Sequence, residues 1–233
     1  MTLAARTPRD SEPVDAVSAD EAVNAILTGM THFDERAIRL ALPPVRDAAD
    51  AIETIVFPAL RAVGHLWESG EISVAHEHFA SSVLASAVAE WHRASSASGP
   101  VQVVVATPPG EHHGFAALCA DVVLRQRAVS TALLGTNTPL RAIGEAVRWT
   151  GATAVLLVAT RPSAARAHAS GLRALARSAT VYLAGAGADA DLTSMGVRLL
   201  HEGFGRGIAQ VVRDLSEDGV PPTVSGRQPV LQG

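Results

Sequence analysis

From residue 101 onward the chain alternates short apolar runs with longer stretches of helical periodicity, and few folds tolerate that order. The runs are "VQVVVAT" (101–107), "VSTALLG" (129–135), "ATAVLLVAT" (152–160) and "TVYLAGAG" (180–187), with "GVRLL" (196–200) as a candidate fifth. A strand with one wet face alternates apolar and polar residues. A continuous apolar run implies a strand covered on both faces. Between the runs lie "GFAALCADVVLRQR", "PLRAIGEAVRWTG" and "SAARAHASGLRALARS", and "GRGIAQVVRDLSED" follows the last. Strand, helix, strand in this repeat predicts an open, doubly wound parallel sheet over residues 101–218, with 219–233 a flexible tail.

Upstream the texture differs. "SSASGP" (95–100) reads as a linker. Before it, apolar periodicity predicts helices near 19–30, 33–42, 46–68 and 74–97, with Pro43-Pro44 between the second and third. Ser18 opens the first of them with a capping-box sequence, "SADE". Short connections predict a four-helix bundle over 19–97. Aromatic residues are only 4% of the chain, so its core must be built from Ala, Val and Leu. Residues 1–18 are polar and Pro-containing and are expected to be disordered.

Charge and composition exclude several classes. All 19 basic residues are Arg and the net charge is −4, which does not suit a nucleic-acid surface. The pairs Arg125/Arg127 and Arg161/Arg166 are expected to be solvated. The single Cys119 has no internal disulfide partner and fits a reducing cytoplasm as a core thiol. No apolar run approaches the roughly 20 residues that span a bilayer, and the N-terminus lacks the apolar core of a signal peptide. Neither a Ser-His-acid set, a Cys-x-x-Cys nor paired carboxylates stand out, so the chain is not expected to be an enzyme.

In open α/β sheets ligands bind beyond the carboxyl ends of the strands. The first such loop reads "TPPGEHHGF" (107–115): a Pro-Pro-Gly turn, then Glu111, His112 and His113 ahead of a helix. Imidazole is the commonest metal ligand, and a carboxylate nearby can orient it and raise its basicity. The loop has no Gly-rich phosphate fingerprint. "GAGAD" after the fourth strand comes too late for a dinucleotide site, although Gly185 and Gly187 would let a bulky group approach the backbone.

A helical bundle followed by a flavodoxin-like domain with "GEHHGFA" after its first strand resembles the cobalamin-binding module. That family's motif is Asp-x-His-x-x-Gly, and Glu111, His113 and Ala116 stand at its positions. The resemblance implies that His113 is the lower axial ligand of cobalt and Glu111 holds its other ring nitrogen. The family's Ser-x-Leu or Ser-x-Thr after strand three is here Val158-Ala159-Thr160, and its Gly-Gly after strand four is Ala184-Gly185. Thr160, Gly185 and Gly187 would then line the pocket for the nucleotide tail.

The bundle carries a second motif. In "WESGEISVAHEH" (67–78), Trp67 is followed after nine residues by Glu77-His78. Gly70 is placed to end one helix and Ser73 to cap the next. This is similar to the Trp-x9-Glu-His motif of the CarH-like, cobalamin-dependent photoreceptors. The resemblance implies adenosylcobalamin held between bundle and α/β domain. Trp67 would pack on the upper adenosyl group and Glu77 would help hold it. His78 would ligate cobalt once light has broken the cobalt–carbon bond. His76 has no assigned role. The stretch before the first helix is too short for a DNA-binding domain, so the expected output is a protein partner (a transcription factor or signalling enzyme) or light-dependent homo-oligomerisation. Free-standing photocobilins share this architecture and add biliverdin as a second chromophore. The competing reading is a corrinoid carrier for methyl transfer, which has no use for the Trp67 motif.

Overall fold

The computed structural model describes residues 18–44, 47–95, 97–161, 167–188, 190–200 and 203–217. The expected disorder of residues 1–18 and looseness of the 219–233 tail lie, but for Ser18, outside them. The chain divides into two compact units. One comprises Met1–Pro43 and Thr54–Val83, the other Pro44–Glu53 and Leu84–Gly233.

The first unit is helical. α1 (Ala19–Thr31) opens with the capping box read from the sequence: Ser18 Oγ accepts from the Glu21 N–H, and the Glu21 carboxylate accepts from the Ser18 N–H. α1 ends with Phe33 in the left-handed conformation (φ 51°), which lets Asp34 N–H donate back to Gly29 O. α2 (Glu35–Ala41), capped by Asp34, then packs on α1. Gly29 permits the approach, since a Cβ there would lie 2.9 Å from Ile38 Cγ1. α4 (Phe57–Glu68) also packs on α1, and Ile26, Met30, Ile38, Ala59 and Val63 are buried.

The helix expected near 46–68 is not one regular helix. α3 (Ala48–Ala51) passes into a π-helical turn, Ile52–Val56, before α4 begins. Pro58 explains the break. It has no N–H to bond Thr54 O, and its ring would crowd that carbonyl in a regular helix, so the backbone widens ahead of it. α5 (Val74–Ala94) crosses the boundary between the units within its length.

The second unit holds the sheet. β1 (Val103–Ala106), β2 (Thr131–Gly135), β3 (Ala154–Val158), β4 (Thr180–Ala184) and β5 (Val197–Leu200) are all parallel, in the order β2-β1-β3-β4-β5. β1 and β3 are buried along their whole length, as their unbroken apolar runs require. Alternate residues of each strand feed opposite faces. Val104, Val155, Leu157, Val181 and Leu183 pack with Ile143 and Val147 of α7 (Leu140–Thr150) and Leu172 and Leu175 of α8 (Ala169–Ala176). Each such fully buried Leu or Ile contributes about 2 kcal/mol. α6 (Phe115–Gln126) and α9 (Phe204–Glu217) pack together, and α3 lies against both.

Cys119 is buried, as expected, and burial pushes its thiol pKa up. Arg125 is not the solvated residue its sequence context suggested. It lies beside the fully buried Asp121, with Nε 3.4 Å from Oδ2, and its NH2 donates to Thr131 O. Asp121 also accepts from Thr131 Oγ1 and pairs with His92 Nδ1 of α5. Among the described residues, no helix is long and apolar enough to cross a membrane.

Candidate functional site

The strand order reverses direction between β1 and β3, so the loops that leave their carboxyl ends diverge and open a crevice. Glu111 and His113 lie on the first of these loops and Thr160 on the second. The β1 loop turns through Pro108-Pro109-Gly110, with Gly110 at φ 79° and Glu111 N–H donating to Pro108 O. This leaves the Glu111 side chain fully buried.

A buried carboxylate must have its lone pairs filled. Glu111 Oε1 accepts from the His113 backbone N–H (2.9 Å) and from His113 Nδ1 (2.6 Å). Oε2 accepts from the Thr160 N–H (2.7 Å) and Thr160 Oγ1 (2.6 Å). Burial alone would raise the carboxyl pKa. The bonds from Thr160 and His113 outweigh it and hold the group at about 2. A carboxylate ionised at neutral pH can only accept, so His113 carries its proton on Nδ1. In the neutral ring this places the lone pair on Nε2, on a side chain that is 65% exposed. The arrangement is a carboxylate-oriented imidazole ready to ligate a metal from one side.

Thr160 therefore bonds the acid directly. The sequence assigned it to a tail pocket. Gly185 and Gly187, on the β4 loop, are met by the backbone of the Thr160 loop. A Cβ at Gly185 (φ 94°) would stand 2.4 Å from Ala159 O, and one at Gly187 would stand 2.8 Å from Arg161 O. Gly187 N–H donates to Ala159 O (2.8 Å). The glycines let the β4 loop brace the peptide that precedes Thr160. Gly185→Ala is expected to cost at least about 2 kcal/mol in chemical denaturation, since it combines a left-handed backbone with a backbone clash.

The first unit repeats the acid–imidazole pattern. Leu66 O accepts from Glu71 N–H, and Gly70 (φ 79°) ends α4 just past Trp67, which is half exposed. α5 begins after Ser73, whose Oγ and N–H engage Nδ1 of His76 (2.8 and 3.3 Å). The imidazole of His76, unassigned in the sequence reading, stands where a capping box normally has Glu. Its ring also stacks 4.6 Å from Phe33, which lies 5.2 Å from Phe79. Glu77 pairs with His78 Nδ1 and accepts from Ser81 Oγ (2.7 Å). Burial opposes ionisation of Glu77, but the bonds from Ser81 and His78 hold its pKa below the usual value. His78, three-quarters exposed, also presents Nε2. Ser81 and Thr160 are the hydroxyl partners of the two acids, and in both cases the hydroxyl is fixed by the fold. Ser81 was legible at helical spacing from Glu77; Thr160 was not, at 49 residues from Glu111.

Among the described residues no group of three or more His, Cys, Asp or Glu is placed to hold a metal ion. Each site offers one imidazole, which suits a metal whose remaining donors arrive with it.

Residues 19–90 match the B12 binding domain family. A segment of 107 residues, 46% of the chain, is 34% identical to the HTH-type transcriptional repressor CarH of Myxococcus xanthus. The chain spans about a third (34%) of the length of that curated relative. The monomethylamine corrinoid protein of Methanosarcina barkeri shares the fold, with a TM-score of 0.63 at 16% identity over 84% of this chain and 95% of that one. Both of these matches are to part of the chain: residues 19–90 are similar to the B12 binding domain family, and a 107-residue segment is similar to CarH.

Proposed function

We propose that the chain is a light-sensing regulatory protein that binds adenosylcobalamin. The observation that carries this reading is the Glu111–His113 pair, a buried carboxylate fixing Nδ1 and leaving Nε2 bare. A corrin supplies its own ring nitrogens to cobalt, so a single oriented imidazole is the donor set such a cofactor needs from a protein. His113 would hold the cobalt of a bound corrinoid through Nε2. Glu111 holds the ring in the ligating tautomer, and Thr160 holds Glu111. In this reading the helical segments act as a four-helix bundle, and Trp67 would shield the adenosyl group while Glu77 would help to hold it. When bound, adenosylcobalamin supplies a cobalt–carbon bond that visible light breaks. His78, with its own acid-held Nδ1, is the second imidazole available to cobalt. The output is a change of conformation or assembly read by a cytoplasmic protein partner, and biliverdin is the candidate second chromophore.

The test is reconstitution with adenosylcobalamin in darkness, with absorbance spectra before and after green light. The expected result is a light-driven shift to a stable cob(III)alamin spectrum that is altered in His78→Ala and lost in His113→Ala. A red-absorbing, light-responsive band on adding biliverdin would identify the second chromophore. Corrinoid binding indifferent to Trp67 and His78 would instead support the carrier reading, which the fold shared with the monomethylamine corrinoid protein keeps in play. A protein that takes up no corrinoid would sink both.

A further inference from the structure

The β1 loop is held on its other flank by a residue with no part in either motif. Asn137, on the loop after β2, sits in the left-handed region at φ 49°. Few non-glycine residues adopt that conformation, and Asn is among those that do so most readily. There its backbone N–H points at both Glu111 O (2.8 Å) and Thr107 Oγ1 (2.9 Å). Its side-chain Oδ1 accepts from Gly110 N–H (2.8 Å). Thr107, fully buried at the end of β1, donates its hydroxyl to Glu111 O (2.7 Å). Thr107 O accepts from Thr138 N–H (3.1 Å), and Thr107 N–H donates to Gly135 O (3.0 Å). Gly114 lets the two loops close, since a Cβ there would lie 2.5 Å from Thr136 Cγ2.

We infer that Asn137, acting with Thr107, is a positioning residue for the His113 imidazole. It holds the Glu111–His112 peptide through Glu111 O and the Pro109–Gly110 peptide through Gly110 N–H, and the Glu111 carboxylate in turn fixes the ring. Thr160 secures the far end of the carboxylate, so the acid is clamped at its backbone from the β2 loop and at its oxygens from the β3 loop. Glycine would satisfy the backbone angle at position 137 but would leave Gly110 N–H without its acceptor. The inference rests on His113 being the functional imidazole, and its test separates the two.

Asn137→Gly keeps the backbone conformation and removes Oδ1; Asn137→Asp keeps both; Thr107→Val removes the hydroxyl at nearly constant shape. Nitrogen-15 ring spectra of the cofactor-free proteins at neutral pH report the His113 tautomer. The native protein and Asn137→Asp are expected to show the Nδ1–H form, and Asn137→Gly and Thr107→Val a mixture. Hydroxocobalamin binding should weaken about tenfold in the latter two and be retained in Asn137→Asp. If Asn137→Gly does not fold, Thr107→Val carries the test. Variants that melt earlier yet keep a single tautomer and native hydroxocobalamin affinity would show a merely structural role and overturn the inference. A native protein that binds no hydroxocobalamin, but whose tautomer still depends on Asn137, would defeat the cofactor reading alone.

Discussion

Glu111→Ala is expected to lower both the stability of the protein and its affinity for cobalamin. The substitution leaves Thr160 N–H, Thr160 Oγ1 and His113 N–H without the acceptor they share. Stranded donors and lost charge-assisted bonds together cost about 3 kcal/mol. The freed ring would sample both tautomers, and loss of a carboxylate that orients a ligating histidine typically costs 10–100-fold in affinity. Urea unfolding of the cofactor-free protein and titration with hydroxocobalamin read the two effects separately. The same group sets an acid limb. Its folded pKa, about 2, lies below the unfolded value, so its contribution is complete above about pH 4.5 and is lost as pH falls toward 2. Between those limits the native protein should lose stability more steeply than Glu111→Ala. Equal slopes would mean that the hydrogen bonds do not hold the carboxylate in the ionised form.

Asp121→Ala is expected to be more damaging still, with no direct connection to the imidazole. Asp121 has no exposed surface and is the common partner of His92, Thr131 and Arg125. Arg125 Nε is buried and, among the described residues, has no hydrogen-bond partner, so the carboxylate opposite is its charge compensation. Removing one side of a buried ion pair costs about 3–5 kcal/mol, because the other charge stays behind. His92→Ala, which leaves the Arg125–Asp121 pair intact, should cost markedly less. Denaturant midpoints for the two variants decide the matter, and similar losses would place the weight on the histidine instead.

The parts of this protein legible in its sequence are those whose physics is local. Unbroken apolar runs such as "AVLLV" (154–158) announced covered parallel strands, and Ser18 with Glu21 announced the start of α1. Glu111 and His113 stand two residues apart, so a bond between them needs only one turn of loop. Pro58 was equally visible, but a proline inside a periodic pattern does not say whether the helix will kink, end or widen. What escaped notice depends on strand order. Asn137 reaches Gly110 only because β2 lies beside β1, and Thr160 reaches Glu111 only because β3 lies on its other side. Asp121 sits in an apolar helical run where its partners, His92 on α5 and Thr131 on β2, cannot be read from spacing. His76 was passed over because its expected direction on the helix surface hid a bond to the backbone just ahead of it.

The sheet order also governs when the imidazole becomes usable. No two neighbouring strands are joined by a hairpin; every ladder must wait for an intervening helix. The longest excursion separates Val103 from its β3 partner Ala154, and these are the strands whose loops carry Glu111 and Thr160. Closing such a loop is entropically costly and slow. On a ribosome, the helices from Ala19 to Ala94 and the His113 loop emerge well before β3. Until β3 docks, Glu111 has no Thr160 to hold its outer oxygen, and the imidazole is braced from one side only. Folding order therefore delays a fully braced imidazole until the sheet that supports it is in place.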